Sequence, residues 1–222
     1  MPLGLAERNV TMRSTWRSKI LALGVTCLLL AVGLVGWNLW ESARAGQASR
    51  QLLAEFQRQS EGITQETSLA ASGEILDLTP PKPNDTDGPA EEEVAASLDG
   101  HQLLGKLEIP ALSLELPVLD SWDDEKLKMA PCRYQGSAQG NDLIIAGHNY
   151  REHFGSLGGL QTGDVVLFTD MNQDTTSYTV TGIEQLSGTA IEDMTSGDWD
   201  LTMFTCTLDG FSRITVRCSK SA

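Results

Sequence analysis

The stretch MFTCTLDGFSRITVRC, residues 203–218, contains two short apolar runs separated by a polar segment. Both runs are rich in β-branched and aromatic residues, a composition that is typical of β-strands. The segment between them, TLDGFS, contains an Asp-Gly pair, which is common in turns. We therefore predict two neighbouring antiparallel strands, with Cys206 at the end of the first and Arg213 at the start of the second.

Five further β-like runs precede this pair of strands, broken by Gly, Asn, Asp and Pro. They are GKLEIP, LELPVL, DLIIAGH, DVVLFTD and SYTVTGIEQL. Short strands at this spacing are typical of an all-β barrel or sandwich, and about 120 residues are enough for one core. Only DDEKLKMA and EHFGSLGGL suggest short helices. We predict a mainly β fold, a closed barrel with short helices, over residues 100–222.

The amino-terminal part contains residues 20–40, which are 21 residues without a charged side chain. A helix rises about 1.5 Å per residue, so this segment is long enough to cross a hydrocarbon core of about 30 Å. The basic residues before it are Arg8, Arg13, Arg17 and Lys19. By the positive-inside rule we expect residues 1–19 in the cytoplasm and the rest of the chain outside it.

A cleaved signal peptide is the alternative interpretation of this segment. Ala43 and Ala45 leave a cleavage site possible, whereas the apolar run is longer than the roughly 7 to 15 residues of a signal peptide core. Trp37 and Trp40 also lie where an interfacial aromatic belt is expected. We therefore predict one transmembrane helix at residues 20–40.

Residues 41–99 are predicted to form a stalk outside the cytoplasm. Leu52, Leu53 and Phe56 recur at helical spacing, so the first part can continue the membrane helix. The second part, LTPPKPNDTDGPAEEEVAASLDG, is too polar to bury a core and is expected to be a disordered spacer. The net charge of −14 and the absence of a basic cluster after residue 20 argue against nucleic acid as a partner.

Two predicted strands end in residues that can perform chemistry: DLIIAGH ends at His148, and LTMFTC ends at Cys206. A thiolate is a nucleophile, and histidine can take up and return a proton near neutral pH. A fixed donor such as Arg213 stabilises the oxyanion that forms when a thiolate attacks an amide carbonyl. Each residue also fits a structural role by itself, as a core cysteine, a loop histidine or a solvated arginine.

The last predicted strand, SRITVRC, has two faces of different character. Alternation places Ile214, Val216 and Cys218 on one face, which we expect to pack in the core. The opposite face carries Arg213, Thr215 and Arg217, which can therefore meet a site. Arg213 and Arg217 both remain candidates for the oxyanion donor on this reasoning.

Residues 104–218 resemble the sortases, transpeptidases of the surface of Gram-positive bacteria. LLGKLEIPALSLELPVL looks like the opening strands of that family, and DLIIAGHNY looks like the segment that ends in its catalytic histidine. GSLGGLQTGDVVLFTD is similar to the family's next helix and its Gly-Asp turn. MFTCTLDGFSRITVRC is similar to the Thr-Leu-x-Thr-Cys motif and the strand with the catalytic arginine, although Met203 and Phe204 replace the usual Thr-Leu.

The resemblance implies a sortase-type β-barrel and assigns roles to particular residues. Cys206 is the expected nucleophile, His148 the general acid and base, and Arg213 the stabiliser of oxyanion and substrate. Thr205 and Asn149 are expected to bind substrate, and residues 184–200 are expected to shape specificity. No spacing in the sequence resembles a zinc site and no compact oxygen-ligand loop suggests calcium, so we expect no cofactor and no metal site.

The reaction implied by the resemblance is a transpeptidation. A sortase cleaves a Leu-Pro-x-Thr-Gly-like (LPXTG-like) sorting motif of a secreted protein after the threonine, forming a thioester that an amine resolves into a new amide. The amine comes from a cell-wall precursor or from the lysine of a pilin. Residues 77–102 contain no Asp-Pro-aromatic lid element and the chain ends four residues after Cys218, so we expect cell-wall anchoring rather than pilus building.

Two other classes of function remain open: a related extracellular cysteine peptidase, and a membrane-anchored β domain that only binds. Cys132 and Cys218 are the candidates for an extracytoplasmic disulfide. Cys27 is expected to pack within the membrane helix. We expect His101 and His153 to lie at the surface.

Overall fold

The computed structural model describes residues 6–70, 97–98 and 101–221. They belong to two compact units, Met1–Ala43 and Arg44–Ala222. Most of the predicted disordered spacer, with its acidic run at residues 91–93, lies outside the described residues, whereas its Ser97 and Leu98 form a short strand paired with Gln102 and His101. The predicted boundary between stalk and catalytic domain at residue 100 stays a prediction.

The described secondary structure consists of one long amino-terminal helix followed by short elements. The helices are α1 (Ala6–Ala70), α2 (Asp124–Met129) and α3 (Ile191–Thr195), with short 3₁₀ turns at Pro110–Leu112 and Leu157–Gly159. The strands are β1 (Ser97–Leu98), β2 (His101–Ile109), β3 (Leu114–Leu119), β4 (Cys132–Gln135), β5 (Leu143–Ala146), β6 (Val165–Asp170), β7 (Thr175–Ser187), β8 (Leu201–Cys206) and β9 (Ser212–Lys220).

Strands β2 to β9 form a closed eight-stranded barrel. The sheet order is β1-β2-β3-β4-β5-β8-β9-β7-β6, and β2 also pairs with β6, which closes the ring. Neighbouring strands are antiparallel except for the β3–β4 and β5–β8 pairs, which are parallel. The predicted closed β-barrel is confirmed.

The inside of the barrel is filled by alternate residues of each strand, as the period of two requires. In β5 and β8 these are Leu143, Ile145, Leu201 and Met203, all fully buried. Val216 and Cys218 of β9 join the same cluster, and the partly buried Ile214 packs against it. The predicted packing face of β9 is therefore confirmed, and its other face points away from the interior.

The short helices agree with the sequence in part. Helix α2 lies within DDEKLKMA and begins after Asp123, whose carboxylate accepts hydrogen bonds from the backbone amides of Glu125 and Lys126 at 2.9 and 2.8 Å. The segment EHFGSLGGL contains only turns and the 3₁₀ turn. Helix α3 was not predicted, because five residues are too few to show a helical apolar pattern.

Helix α1 contains the segment Lys19–Arg58. Among the described residues, this is the one helical segment that is long and apolar enough to cross a membrane. Its apolar side chains from Ile20 to Trp40 are exposed. This agrees with the length and composition of the predicted membrane helix. The helical continuation predicted from the spacing of Leu52, Leu53 and Phe56 is also confirmed.

Residues 44–58 of α1 differ from the stalk expected there, because they belong to the same compact unit as the barrel. Leu52 and Phe56 are 0% and 3% exposed and pack in a cluster with Leu103, Leu119 and Met171. Removing such apolar side chains from water stabilises the contact by about 1.5 to 3 kcal/mol each. The sequence showed the helical spacing of these residues but gave no sign of the surface that they cover.

Cys132 and Cys218 do not form a disulfide. Both are free thiols, and they lie in different apolar clusters, Cys132 beside α1 and Cys218 inside the barrel. Burial raises the pKa of each thiol to about 12. These two cysteines are therefore packing residues.

Candidate active site

His148 and Cys206 are brought together by the parallel pair β5–β8. Ala146 of β5 lies opposite Phe204 of β8, and the backbone amide of Gly147 donates to the carbonyl of Phe204 at 3.1 Å. Two residues farther along each strand, the chain reaches His148 and Cys206. Adjacent strands are about 4.8 Å apart, so both side chains leave the same face of the sheet as neighbours.

Arg213 reaches the same place through the antiparallel pair β8–β9. Cys206 and Arg213 are directly opposite in the register, which puts their Cβ atoms about 4.5–5.5 Å apart on one face. The turn between them is fixed by the Thr207 amide, which donates to the Ser212 carbonyl at 2.9 Å. The Asp209 carboxylate accepts from the Thr207 hydroxyl and from the Phe211 amide, and these bonds lower the pKa of Asp209.

These three predicted residues line a cavity of about 340 Å³. The rest of its wall is mostly apolar and includes Trp122, Leu127, Tyr134, Ala146, Phe204, Ile191 and Met194. Tyr134 stacks on Trp122 with ring centroids 5.6 Å apart and meets Phe204 edge-on at 5.4 Å. The cavity therefore combines a thiol, an imidazole and a guanidinium with an apolar wall.

A second cavity, of about 450 Å³, also borders Cys206. It shares Thr205 and Cys206 with the first cavity and is otherwise lined by different residues, including Asn149, Gln185 and Asp209. Thr205 is only 3% exposed, and its hydroxyl has no hydrogen-bond partner among the described residues. The two residues expected to bind substrate, Thr205 and Asn149, thus both line a cavity that contains the thiol.

The loop after His148 is held by close packing. The backbone carbonyl of His148 accepts from the amide of Phe154 at 3.1 Å, and Phe154 is fully buried. A Cβ at Gly147 would lie 2.6 Å from the Phe154 ring, so only glycine allows this approach. The backbone on both sides of His148 is therefore fixed by the core.

His153 is buried, so the prediction that it lies at the surface was wrong. It is 0% exposed, and its ring centroid lies 5.5 Å from that of Tyr150, which in turn is 4.8 Å from that of His148. Burial, and then the charge of His148, lower the pKa of His153 to about 4. Backbone groups of Met129 and Ala45 oppose this lowering, but neither has hydrogen-bonding geometry to a ring nitrogen.

Arg217, the other arginine left open by the sequence, does not line the cavity. It is 4% exposed, and its guanidinium is occupied by the Glu184 carboxylate at 2.8 Å and by backbone carbonyls of α3. A guanidinium that is already bound on several sides cannot turn toward a substrate oxyanion. Of the two arginines, Arg213 is the one that meets Cys206.

The wall of the first cavity includes five residues from the stretch expected to shape specificity, residues 184–200. They are Ser187, Gly188, Ala190, Ile191 and Met194. Sequence reasoning missed Trp122, Leu127 and Tyr134, since apolar residues around a short helix carry no chemical signature. No cluster of His, Cys, Asp or Glu in the described part of the chain could hold a metal ion.

Comparisons with known proteins identify the relatives of this domain. Residues 107–221 match the family model described as the sortase domain. The chain is 35% identical to sortase A of Bacillus anthracis over 130 residues. This alignment covers 54% of this chain and 60% of that protein. The chain thus matches less than two thirds of the length of this curated relative.

Two solved structures are also similar. Sortase A from Corynebacterium diphtheriae, a lid mutant, has a TM-score of 0.50 and 22% identity over 55% of this chain and 72% of that one. Sortase C1 from Streptococcus agalactiae has a TM-score of 0.48 and 25% identity over 53% and 67% of the two chains. At 22% identity, the likeness to the Corynebacterium diphtheriae structure concerns the fold alone.

Proposed function

The chain belongs to the sortase family, and from this premise we propose that it is a cysteine transpeptidase acting on secreted proteins with an LPXTG-like sorting motif. The observation that carries the proposal is that Cys206, His148 and Arg213 line one cavity, at the ends of three adjacent strands. A nucleophile, an acid and base, and a fixed cation are the groups that acyl transfer through a thioester requires.

In the first half of the reaction, the thiolate of Cys206 attacks the threonine carbonyl carbon of the motif and a C–S bond forms. The carbonyl oxygen becomes negative, and Arg213 stabilises it by about 3 to 4 kcal/mol if it acts as an oxyanion donor. The C–N bond to glycine then breaks, and His148 gives its proton to the leaving amine. The product is a thioester between Cys206 and the amino-terminal part of the substrate.

In the second half, an amine attacks the thioester carbonyl, and His148 takes up the proton that the amine loses. The C–S bond breaks, a new amide forms and Cys206 returns as a thiolate. The second cavity supports this two-substrate scheme, because it also borders Cys206 and, apart from Thr205, is lined by residues that are absent from the first cavity. We assign the motif to the apolar cavity and the acceptor amine to the cavity with Asn149.

The proposed location is the cell membrane, with residues 1–19 in the cytoplasm and the barrel outside. The length of the apolar helix and the four basic residues before it support this orientation. Such an anchor holds the site close to secreted substrates that are still at the membrane. The amine is proposed to come from a cell-wall precursor or a pilin lysine.

The test is mass spectrometry of the full chain in detergent micelles, incubated with a panel of sorting-motif peptides and an amine acceptor. We expect an acyl adduct on Cys206 and an amide product, both absent in Cys206→Ala. Cys27→Ala is the matched control, since Cys27 is an exposed thiol far from Cys206 in the sequence, and it should keep both signals. Absence of adduct and product with reduced, folded protein would contradict the proposal.

The same experiment separates a transpeptidase from a peptidase. If the acid is still the sole product after the amine has been added, the protein is a cysteine peptidase. If adduct and acid are both absent while peptide still binds, it is a binding domain.

A further inference from the structure

Arg217 connects three elements of the barrel wall through one buried guanidinium. Its Nε donates to Glu184 of β7 at 2.8 Å, and its Nη1 donates to the Thr202 hydroxyl of β8 at 3.1 Å. Nη1 and Nη2 also donate to the backbone carbonyls of Met194 and Asp193 of α3, both at 2.6 Å. The reaction proposed above uses none of these contacts.

The two carbonyls belong to the last turn of a very short helix. Backbone carbonyls at a helix carboxyl end lack partners within the helix, and a cation there is favourable. A helix of five residues is not stable by its own hydrogen bonds. The position of α3 therefore depends on what holds it, and Arg217 provides two of its fixed points.

Helix α3 also forms part of the apolar cavity. Ile191 and Met194 line it, and Met194 is buried against Ala146 and Phe204, which lead to His148 and Cys206. A shift of α3 would change the width of the cavity while leaving the backbone register of Cys206 and Arg213 intact. Arg217 is thus connected to the shape of the apolar wall and not to the reacting atoms.

We propose that Arg217 is a positioning residue that sets the preference of the apolar cavity for a large apolar side chain in the sorting motif. The proposal rests on the function proposed above. Lysine is a poor replacement, because a single ammonium group cannot reach a carboxylate, a hydroxyl and two carbonyls in the fixed geometry of a guanidinium. Of the two arginines of β9, Arg213 acts on the chemistry, and Arg217 acts on the choice of substrate.

The test compares wild type, Arg217→Lys and Glu184→Gln with two peptides that carry leucine or alanine at the first motif position. We expect Arg217→Lys to reduce the leucine-over-alanine ratio of kcat/KM about tenfold, mainly through a higher KM for the leucine peptide. Glu184→Gln is the matched control, because it alters the partner on β7 and leaves the two α3 carbonyls bound. It should change the ratio by less than about twofold.

Two kinetic results would overturn the proposal. An equal loss for both peptides would make Arg217 a structural residue only, and a collapse of kcat for both would make it a catalytic residue. A second measurement, hydrogen exchange of the α3 amides, does not require turnover. Arg217→Lys should speed exchange at residues 191–195 while exchange in β8 stays slow, and unchanged exchange at α3 contradicts the proposal. If wild type processes neither peptide, the proposed function fails, and the exchange experiment still decides whether Arg217 positions α3.

Discussion

The three residues at the cavity each have a counterpart of the same type elsewhere in the barrel, and the two sets differ in burial. Cys206, His148 and Arg213 are half-buried and line the first cavity. Their counterparts, Cys218, His153 and Arg217, are 0%, 0% and 4% exposed. The two members of each pair lie at most twelve residues apart in the sequence. Residue type therefore does not separate a reactive group from a packing group, whereas access to the cavity does.

The largest expected difference concerns the two cysteines. Cys206→Ala removes the proposed nucleophile and should lower kcat at least about 10⁴-fold. Cys218→Ala removes a buried sulfur from the core and should cost about 1 kcal/mol of unfolding free energy with kcat within about twofold. Steady-state kinetics and denaturant unfolding measure both. Comparable loss of kcat in the two variants would mean that burial does not distinguish them.

The two histidines should differ next. His148→Gln removes the proton carrier, and we expect kcat to fall about 10²- to 10⁴-fold. His153→Phe keeps a ring in the buried position beside Tyr150, so kcat should stay within about tenfold. Single-turnover acylation of Cys206 by a motif peptide is the measurement. An unimpaired His148→Gln would remove His148 from the mechanism.

Substitution of Arg213 should have the next largest effect. Arg213→Ala should lower kcat/KM about 10²- to 10³-fold through loss of an oxyanion donor. Arg213→Lys should recover part of this loss, because a cation remains opposite Cys206. The rate of Cys206 alkylation by iodoacetamide serves as the control and should stay near that of wild type. A large drop in alkylation would mean that Arg213 acts on the thiol itself and not on the oxyanion.

The smallest effect sharpens the contrast through pH. The pKa of His153 is lowered in the folded state to about 4 from an ordinary value of 6.5. The unfolded state therefore binds more protons between these values, so the stabilisation is present above about pH 6.5 and is lost as pH falls toward 4. The loss amounts to about 3 kcal/mol for this residue. Denaturant unfolding of wild type between pH 7 and 4 should show it, and His153→Phe should show a correspondingly weaker pH dependence.

Much of the fold followed from the sequence, because alternation of apolar residues is a local property. The strands of the β8–β9 pair, the packing face with Val216 and Cys218, and a short helix within DDEKLKMA were all predicted. Helix α3 was missed because five residues are too few to show a helical pattern, and because Arg217, which binds its Asp193 and Met194 carbonyls, lies 22 residues after Thr195.

The sequence predicted that Cys206, His148 and Arg213 lie together, as they do in the first cavity, but it gave no sign of the wall around them. Cys206, His148 and Arg213 stand beside motifs whose order the family shares, so the resemblance could identify them. Trp122 and Tyr134 could not be found in this way, because an aromatic side chain of a cavity wall looks like any other aromatic residue in a sequence. The buried position of His153 was also not apparent, because a buried histidine and an exposed one look the same in a sequence.

The sequence by itself determined that a long apolar helix precedes a β-barrel and that a cysteine, a histidine and an arginine end or begin neighbouring strands. These are local patterns of hydrophobicity and residue type, which do not depend on what the chain later contacts. Only the tertiary structure decided that Arg217 is bound away from the cavity, that residues 44–58 pack with the barrel, and that Cys132 and His153 are buried. Burial and register across distant strands are properties of the packed chain, because each residue's access to solvent depends on partners far away in the sequence.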